Sequence, residues 1–63
     1  MKNHIGEIRY KQGISLSKLS VYTGISKSQL GRIERGESDP TLPTAYKLEK
    51  ALKTEIHTLF PGE

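Results

Sequence analysis

The chain contains no cysteine, so neither disulfides nor thiolate metal sites can staple it, and stability has to come from packing or self-association. That demand is steep for 63 residues, near the lower limit at which a hydrophobic core holds a fold alone. Long apolar runs are missing too. Nothing approaches the roughly 20 residues that span a bilayer, and Met1 to Tyr10 carries Lys2, His4, Glu7 and Arg9 where a signal peptide would be apolar. These absences predict a soluble, cytoplasmic protein with no membrane partner, organised as one domain over 1–63. Catalytic material is equally scarce: His4 and His57 lie near opposite ends, no thiol nucleophile exists, and the carboxylates are scattered. We therefore expect no enzyme activity, no catalytic residues, no metal site and no cofactor. Acidic residues are nearly absent from one stretch. Between Lys11 and Arg35, the cations Lys11, Lys18, Lys27, Arg32 and Arg35 face Glu34 alone, a local net charge of +4. From Gly36 to Glu63 three lysines stand against five carboxylates, a net −2. An anionic partner would be steered to the first of these regions.

What is present is helical periodicity. Ile5, Ile8 and Arg9 share a face of a first helix, about 3–11, stopped by Gln12-Gly13. Ser15 caps a second helix, about 16–23, that turns Leu16 and Leu19 inward and ends at Gly24. Ser26 caps a third, about 27–35, with Leu30 and Ile33 one turn apart and Gly36 closing it. After the polar loop Glu37-Ser38-Asp39-Pro40, Thr41 is the expected cap of a fourth helix, about 42–52, where Pro43 is tolerated in the first turn and Leu42, Ala45, Leu48 and Leu52 form one stripe. Thr54 is the expected cap of a short fifth helix, 55–59, docking Ile56, Leu59 and Phe60. No β pattern, repeat or low-complexity tract competes, so the fold class is all-α with five helices.

The second and third helices form the informative pair. Leu19, Ser20, Gly24, Ile25, Leu30 and Ile33, within about 15–36, have the spacing of a helix-turn-helix unit. Leu19 and Ile33 lie on apolar faces that must meet, Ser20 is small enough for a close crossing, and Gly24 can take the left-handed conformation that ends a helix. Two charges interrupt the apolar stripes: Arg9 follows Ile5 by four residues, and Glu34 follows Leu30 by four. Opposite charges at matching inward positions predict a partly buried pair tying the first helix to this unit; the alternative is that each reaches solvent along its own aliphatic stem.

With these elements in place the chain resembles the Cro and phage-repressor family of helix-turn-helix regulators, often called Xre-like. The resemblance covers Ile5 to Phe60 and is most specific over Leu19 to Gly36, Pro40-Thr-Leu and Leu48-Glu-Lys-Ala-Leu52. It implies a compact five-helix, lambda-repressor-like DNA-binding domain, and it places Arg9 and Glu34 where members commonly pair a helix-1 Arg with a helix-3 Glu. Three positions depart from the pattern. Leu16 stands where many members have a phosphate-contacting Gln, which leaves only the backbone N–H there; Ser20 replaces the usual Ala and Thr23 a common apolar residue.

A recognition helix reads bases near its N-terminus. Lys27, Ser28 and Arg32 match the family's base-reading positions, with Arg32 one turn after Ser28 and opposite the Leu30 and Ile33 face. Candidates for backbone contacts are Leu16 through its N–H, Lys18, Gln29, Arg35, Ser38 and Thr41, although a surface Lys such as Lys18 is often merely solvated. Glu37 and Asp39 would repel phosphate if they faced it. Gly31 signals either a close approach to DNA or to a neighbouring helix, or a neutral surface position. So small a domain reads few base pairs, which predicts a homodimer on an inverted repeat. The resemblance puts the dimer contact near the fifth helix, with Tyr46, Ile56 and Phe60 as anchors, and core packing is the competing role of each. The functional expectation is a sequence-specific binder of double-stranded DNA acting as a transcriptional repressor. The alternative is a protein-interaction module, antitoxin- or antirepressor-like, and an unidentified protein antagonist is compatible with either.

Overall fold

The computed structural model describes residues 2–62; Met1 and Glu63, which the predicted single domain includes, lie outside the described residues. Five helices follow one another: α1 Ile5–Lys11, α2 Leu16–Thr23, α3 Lys27–Glu34, α4 Leu42–Leu52 and α5 Ile56–Leu59. No strand occurs among the described residues. Each helix contributes at least one residue to a shared core of Ile5, Leu19, Leu30, Ile33, Leu48, Leu52 and Leu59, all nearly inaccessible, with Ile25 from the turn between α2 and α3. Ile8, Ile14, Leu16, Ala51 and Phe60 pack on its margin. The five helices, packed around this core, thus bury most of the i, i+3, i+4 stripes read from the sequence.

The helix ends follow their local chemistry where that chemistry is complete. Ser15 Oγ accepts from the Lys18 N–H at 3.0 Å and Ser26 Oγ from the Gln29 N–H at 3.1 Å, satisfying N–H groups that have no partner within the helix. At the other end of α3, Gly36 takes φ +78°. It donates to Ile33 O at 3.0 Å while the Glu37 N–H reaches Arg32 O at 2.9 Å, so the last carbonyls are capped in pairs.

Four expectations are corrected. Helix α1 starts at Ile5, not near residue 3, because Asn3 and His4 are engaged elsewhere: Asn3 Nδ2 donates to Ile33 O at 2.7 Å, and the His4 N–H to Leu59 O at 2.8 Å. Helix α5 starts at Ile56 without a threonine cap. Thr54 Oγ1 donates to Leu52 O instead, and the Glu49 carboxylate, seven residues upstream on α4, accepts from the Ile56 N–H at 3.2 Å. Thr41 does precede α4, but its hydroxyl donates to Thr44 Oγ1 and caps no backbone group. Leu42 is 63% exposed while Ala45, Leu48 and Leu52 are buried. Helical side chains lean toward the N-terminus, so a first-turn leucine overhangs the end of the core.

Helix α4 ends on Lys53 in the left-handed conformation, φ 52°, which costs a residue with a Cβ about 1–2 kcal/mol. Lys53→Gly should relieve most of this and raise the melting temperature by about 2–6 °C. A lowered melting temperature would mean that the lysine side chain holds this corner.

Candidate nucleic-acid interface

The second and third helices meet at a turn whose centre is Gly24, φ +73°. Two hydroxyls lock it. Ser20 Oγ donates to Ile25 O at 2.6 Å, and the buried Thr23 Oγ1 donates to Leu19 O at 2.8 Å while accepting from the Ile25 N–H at 3.2 Å. Ser20 and Thr23 are two of the departures noted in the sequence. In the fold both satisfy the buried backbone of the turn. Their signal in sequence is the Asx- and Ser/Thr-type hydrogen-bonding habit of short polar side chains beside a turn.

Helix α3 rests on this corner with Leu30, Gly31 and Ile33 buried. The same geometry turns Lys27, Ser28, Gln29 and Arg32 to the surface, all exposed. The capped N-terminus of an eight-residue helix, carrying a lysine and a serine and followed one turn later by an arginine, offers donors and positive potential along one edge. Lys18 and Thr41 are exposed, Ser38 is half-buried, and Leu16 is half-buried at the start of α2.

Arg35 lies just beyond α3 with its guanidinium exposed. Its Nε donates to Glu37 Oε2 at 3.0 Å and its Nη2 to Glu37 Oε1 at 3.3 Å. The hydrogen bond and then the charge of Arg35 hold the Glu37 carboxyl below the usual carboxylate range, and the same contacts raise Arg35. Gly31 is not a neutral surface position. It is buried, and an added methyl would stand 3.1 Å from Arg35 Nη1 and 3.8 Å from Leu16 Cδ2.

Behind the exposed face, Arg9 forks onto Glu34, Nε to Oε1 at 3.1 Å and Nη2 to Oε2 at 2.9 Å, and gives its Nη1 to Ile14 O at 3.1 Å. The side chains retain 20% and 23% of their exposure, so the pair is mostly desolvated and does not reach out along its stems. Gly6 makes room for it: a Cβ there would stand 2.9 Å from Glu34 Oε2. The sequence reading missed Gly6, since a glycine inside a helix identifies no neighbour.

On another side, Pro40, Thr41, Leu42, Ala45, Ile56 and Phe60 line a shallow groove of about 270 Å³. Tyr46 is 54% exposed, while Ile56 and Phe60 are half-buried, Phe60 against the core. Among the described residues no three His, Asp or Glu side chains gather as a metal site, and no helix is long and apolar enough to cross a membrane.

A trihelical corner that presents one short, cationic, well-capped helix outward is the architecture of a helix-turn-helix DNA-binding domain. The helix-turn-helix family model matches residues 5–59, and the chain belongs to that family, in its Cro and phage-repressor-like (Xre-type) group of DNA-binding domains. It is 44% identical over 52 residues to the HTH-type transcriptional regulator SutR of Escherichia coli, covering 82% of this chain and 29% of SutR. Among solved structures, the restriction-modification controller protein C.AhdI from Aeromonas hydrophila superposes with a TM-score of 0.84 at 33% identity, covering 90% of this chain and 86% of that one. A SinR–SinI protein complex contains a chain matching with a TM-score of 0.84 at 34% identity, covering 92% of this chain and 57% of the other. The fold is the lambda-repressor-like arrangement of five helices.

Proposed function

We propose that this protein is a sequence-specific binder of double-stranded DNA that represses transcription as a homodimer on an inverted-repeat operator. The observation that carries the reading is the exposure of Lys27, Ser28 and Arg32 along one edge of α3 while Leu30 and Ile33 of the same helix are fully buried. In this reading α3 enters the major groove, Arg32 forks onto a guanine, Lys27 reaches a guanine or a phosphate, and Ser28 bonds whichever base lies opposite. Lys18, Gln29, Arg35, Ser38, Thr41 and the N–H groups at Leu16 orient the domain on the phosphates. Occlusion of a promoter is the simplest consequence of such binding in the cytoplasm.

The groove beside Leu42, together with Tyr46, Ile56 and Phe60, supports self-association: it is the apolar surface the core leaves uncovered next to α5. A homodimer of this kind reads two half-sites whose centres lie about one helical turn apart. Selection of bound duplexes from a random pool tests the proposal. A recovered inverted repeat is the expected result, and equal affinity for every duplex would sink sequence-specific binding.

The same exposed patch favours a second reading, a protein-binding module that meets an antagonist through Leu42 and Tyr46. Salt separates the two, because DNA binding should weaken steeply between about 50 and 200 mM salt whereas an apolar protein interface should not.

A further inference from the structure

Arg35 follows α3 in sequence, yet its side chain doubles back along the helix. Its Nη1 lies over the bare backbone of Gly31, at the spot where a methyl group would stand 3.1 Å from it and 3.8 Å from Leu16 Cδ2. The Leu16 side chain, at the first position of α2 where this chain carries leucine and no polar group, flanks the same glycine. Glu37 grips the other edges of the same fork, at 3.0 and 3.3 Å. Its place is set by the backbone, since the Glu37 N–H is bonded to Arg32 O and Gly36 holds φ +78°.

We propose that Arg35 is a phosphate clamp at the end of α3 and that Glu37 is its built-in competitor, which a DNA phosphate must displace on binding. The proposal rests on the DNA-binding reading and assigns that surface a control over affinity. A guanidinium fork that holds a carboxylate bidentately has the geometry that holds a phosphate, and it cannot serve both fully. Both partners are exposed, 60% and 56%, so the exchange takes place in a screened, high-dielectric setting where such pairs are weak and readily opened. Because phosphates carry no sequence information, Glu37 lowers affinity for all duplexes alike and leaves base choice to Lys27, Ser28 and Arg32.

A double-mutant cycle on the intact chain tests this. Binding of the wild type, Glu37→Gln, Arg35→Ala and the double variant is titrated by fluorescence anisotropy. The probes are the duplex recovered by selection and an unrelated duplex, at several salt concentrations. Glu37→Gln should tighten binding to both by about three- to tenfold and steepen the dependence of log K on log salt by about 0.9, the share of one phosphate contact. Arg35→Ala should weaken both by a similar factor, and on that background Glu37→Gln should change affinity by less than about twofold. An equal gain on both backgrounds would mean plain repulsion between Glu37 and DNA and would overturn the competitor role. So would no gain in the wild type, or a change in the ratio between the two duplexes. Failure of the wild type to bind any duplex is a separate result that sinks the DNA-binding reading first. Coincident thermal melts of the four proteins are expected; a lowered melt for Glu37→Gln would make the pair a structural tie.

Discussion

Glu34→Ala should destabilise the fold by about 2–4 kcal/mol, because it strands Arg9. Arg9 gives two donors to Glu34 and one to Ile14 O, and four-fifths of its side chain is withdrawn from water. Without the carboxylate, a mostly buried cation keeps only the Ile14 carbonyl, with too little water to replace two charge-assisted hydrogen bonds. For a domain of this size a loss of that order lowers the melting temperature by about 10–25 °C, which circular dichroism would register directly. Arg9→Ala should do comparable damage by leaving the carboxylate unpaired. Shifts of only a few degrees in both would show that the pair contributes no more than an ordinary surface contact. Gly6 sharpens the test. Gly6→Ala ought to gain about 1 kcal/mol of helix propensity, but its methyl meets Glu34 Oε2 at 2.9 Å, so in the wild type it should destabilise. In the Glu34→Ala background the obstruction is gone, and the same substitution should stabilise. That reversal of sign is hard to obtain from anything except the packing of these three residues.

Arg32→Ala should weaken binding to the preferred duplex by about 5- to 150-fold, the 1–3 kcal/mol of a bidentate arginine–guanine contact, and leave the melting temperature nearly unchanged. Arg32 is exposed on α3, away from Leu30 and Ile33, so its removal opens no cavity and strands no buried partner. Binding to an unrelated duplex should fall far less, since only a phosphate-level attraction is lost there. Lys27→Ala should show the same pattern with a smaller loss of discrimination. Equal losses on preferred and unrelated duplexes would make Arg32 a phosphate contact and move the reading of bases to another residue.

Much of this architecture is visible along the chain because it depends on near neighbours. The bounds of α2 follow from Ser15 with Gly24, and the extent of α4 from Pro43 in its first turn with the Ala45, Leu48 and Leu52 stripe, since a cap, a stop and a repeating apolar stripe act within a few residues of one another. The exposed edge of α3 is legible for the same reason: once Leu30 and Ile33 face inward, Lys27, Ser28 and Arg32 have to face out. Where the reading of a helix end fails, a distant atom intervened. Glu49 serves the α5 start from another helix, and Asn3 answers to Ile33 thirty residues away. Gly31 was ambiguous, and Gly6 was missed, because a small residue records that space is needed without recording for what.

By itself, then, the order of the residues determined that five short helices form, most of the faces they bury, the ends of α2 and α3, and that one cationic edge is left over. These are consequences of periodicity, capping and composition, all settled over one or two helical turns. Only the tertiary structure decided what Gly6 accommodates, which carbonyls Asn3 and Gln12 reach, that Ser20 and Thr23 lock the turn, that Leu42 is uncovered, and that Arg35 folds back over Gly31 into the grip of Glu37. Each of these depends on atoms brought together by packing, and the distance between such atoms is a property of the folded core that no local pattern contains.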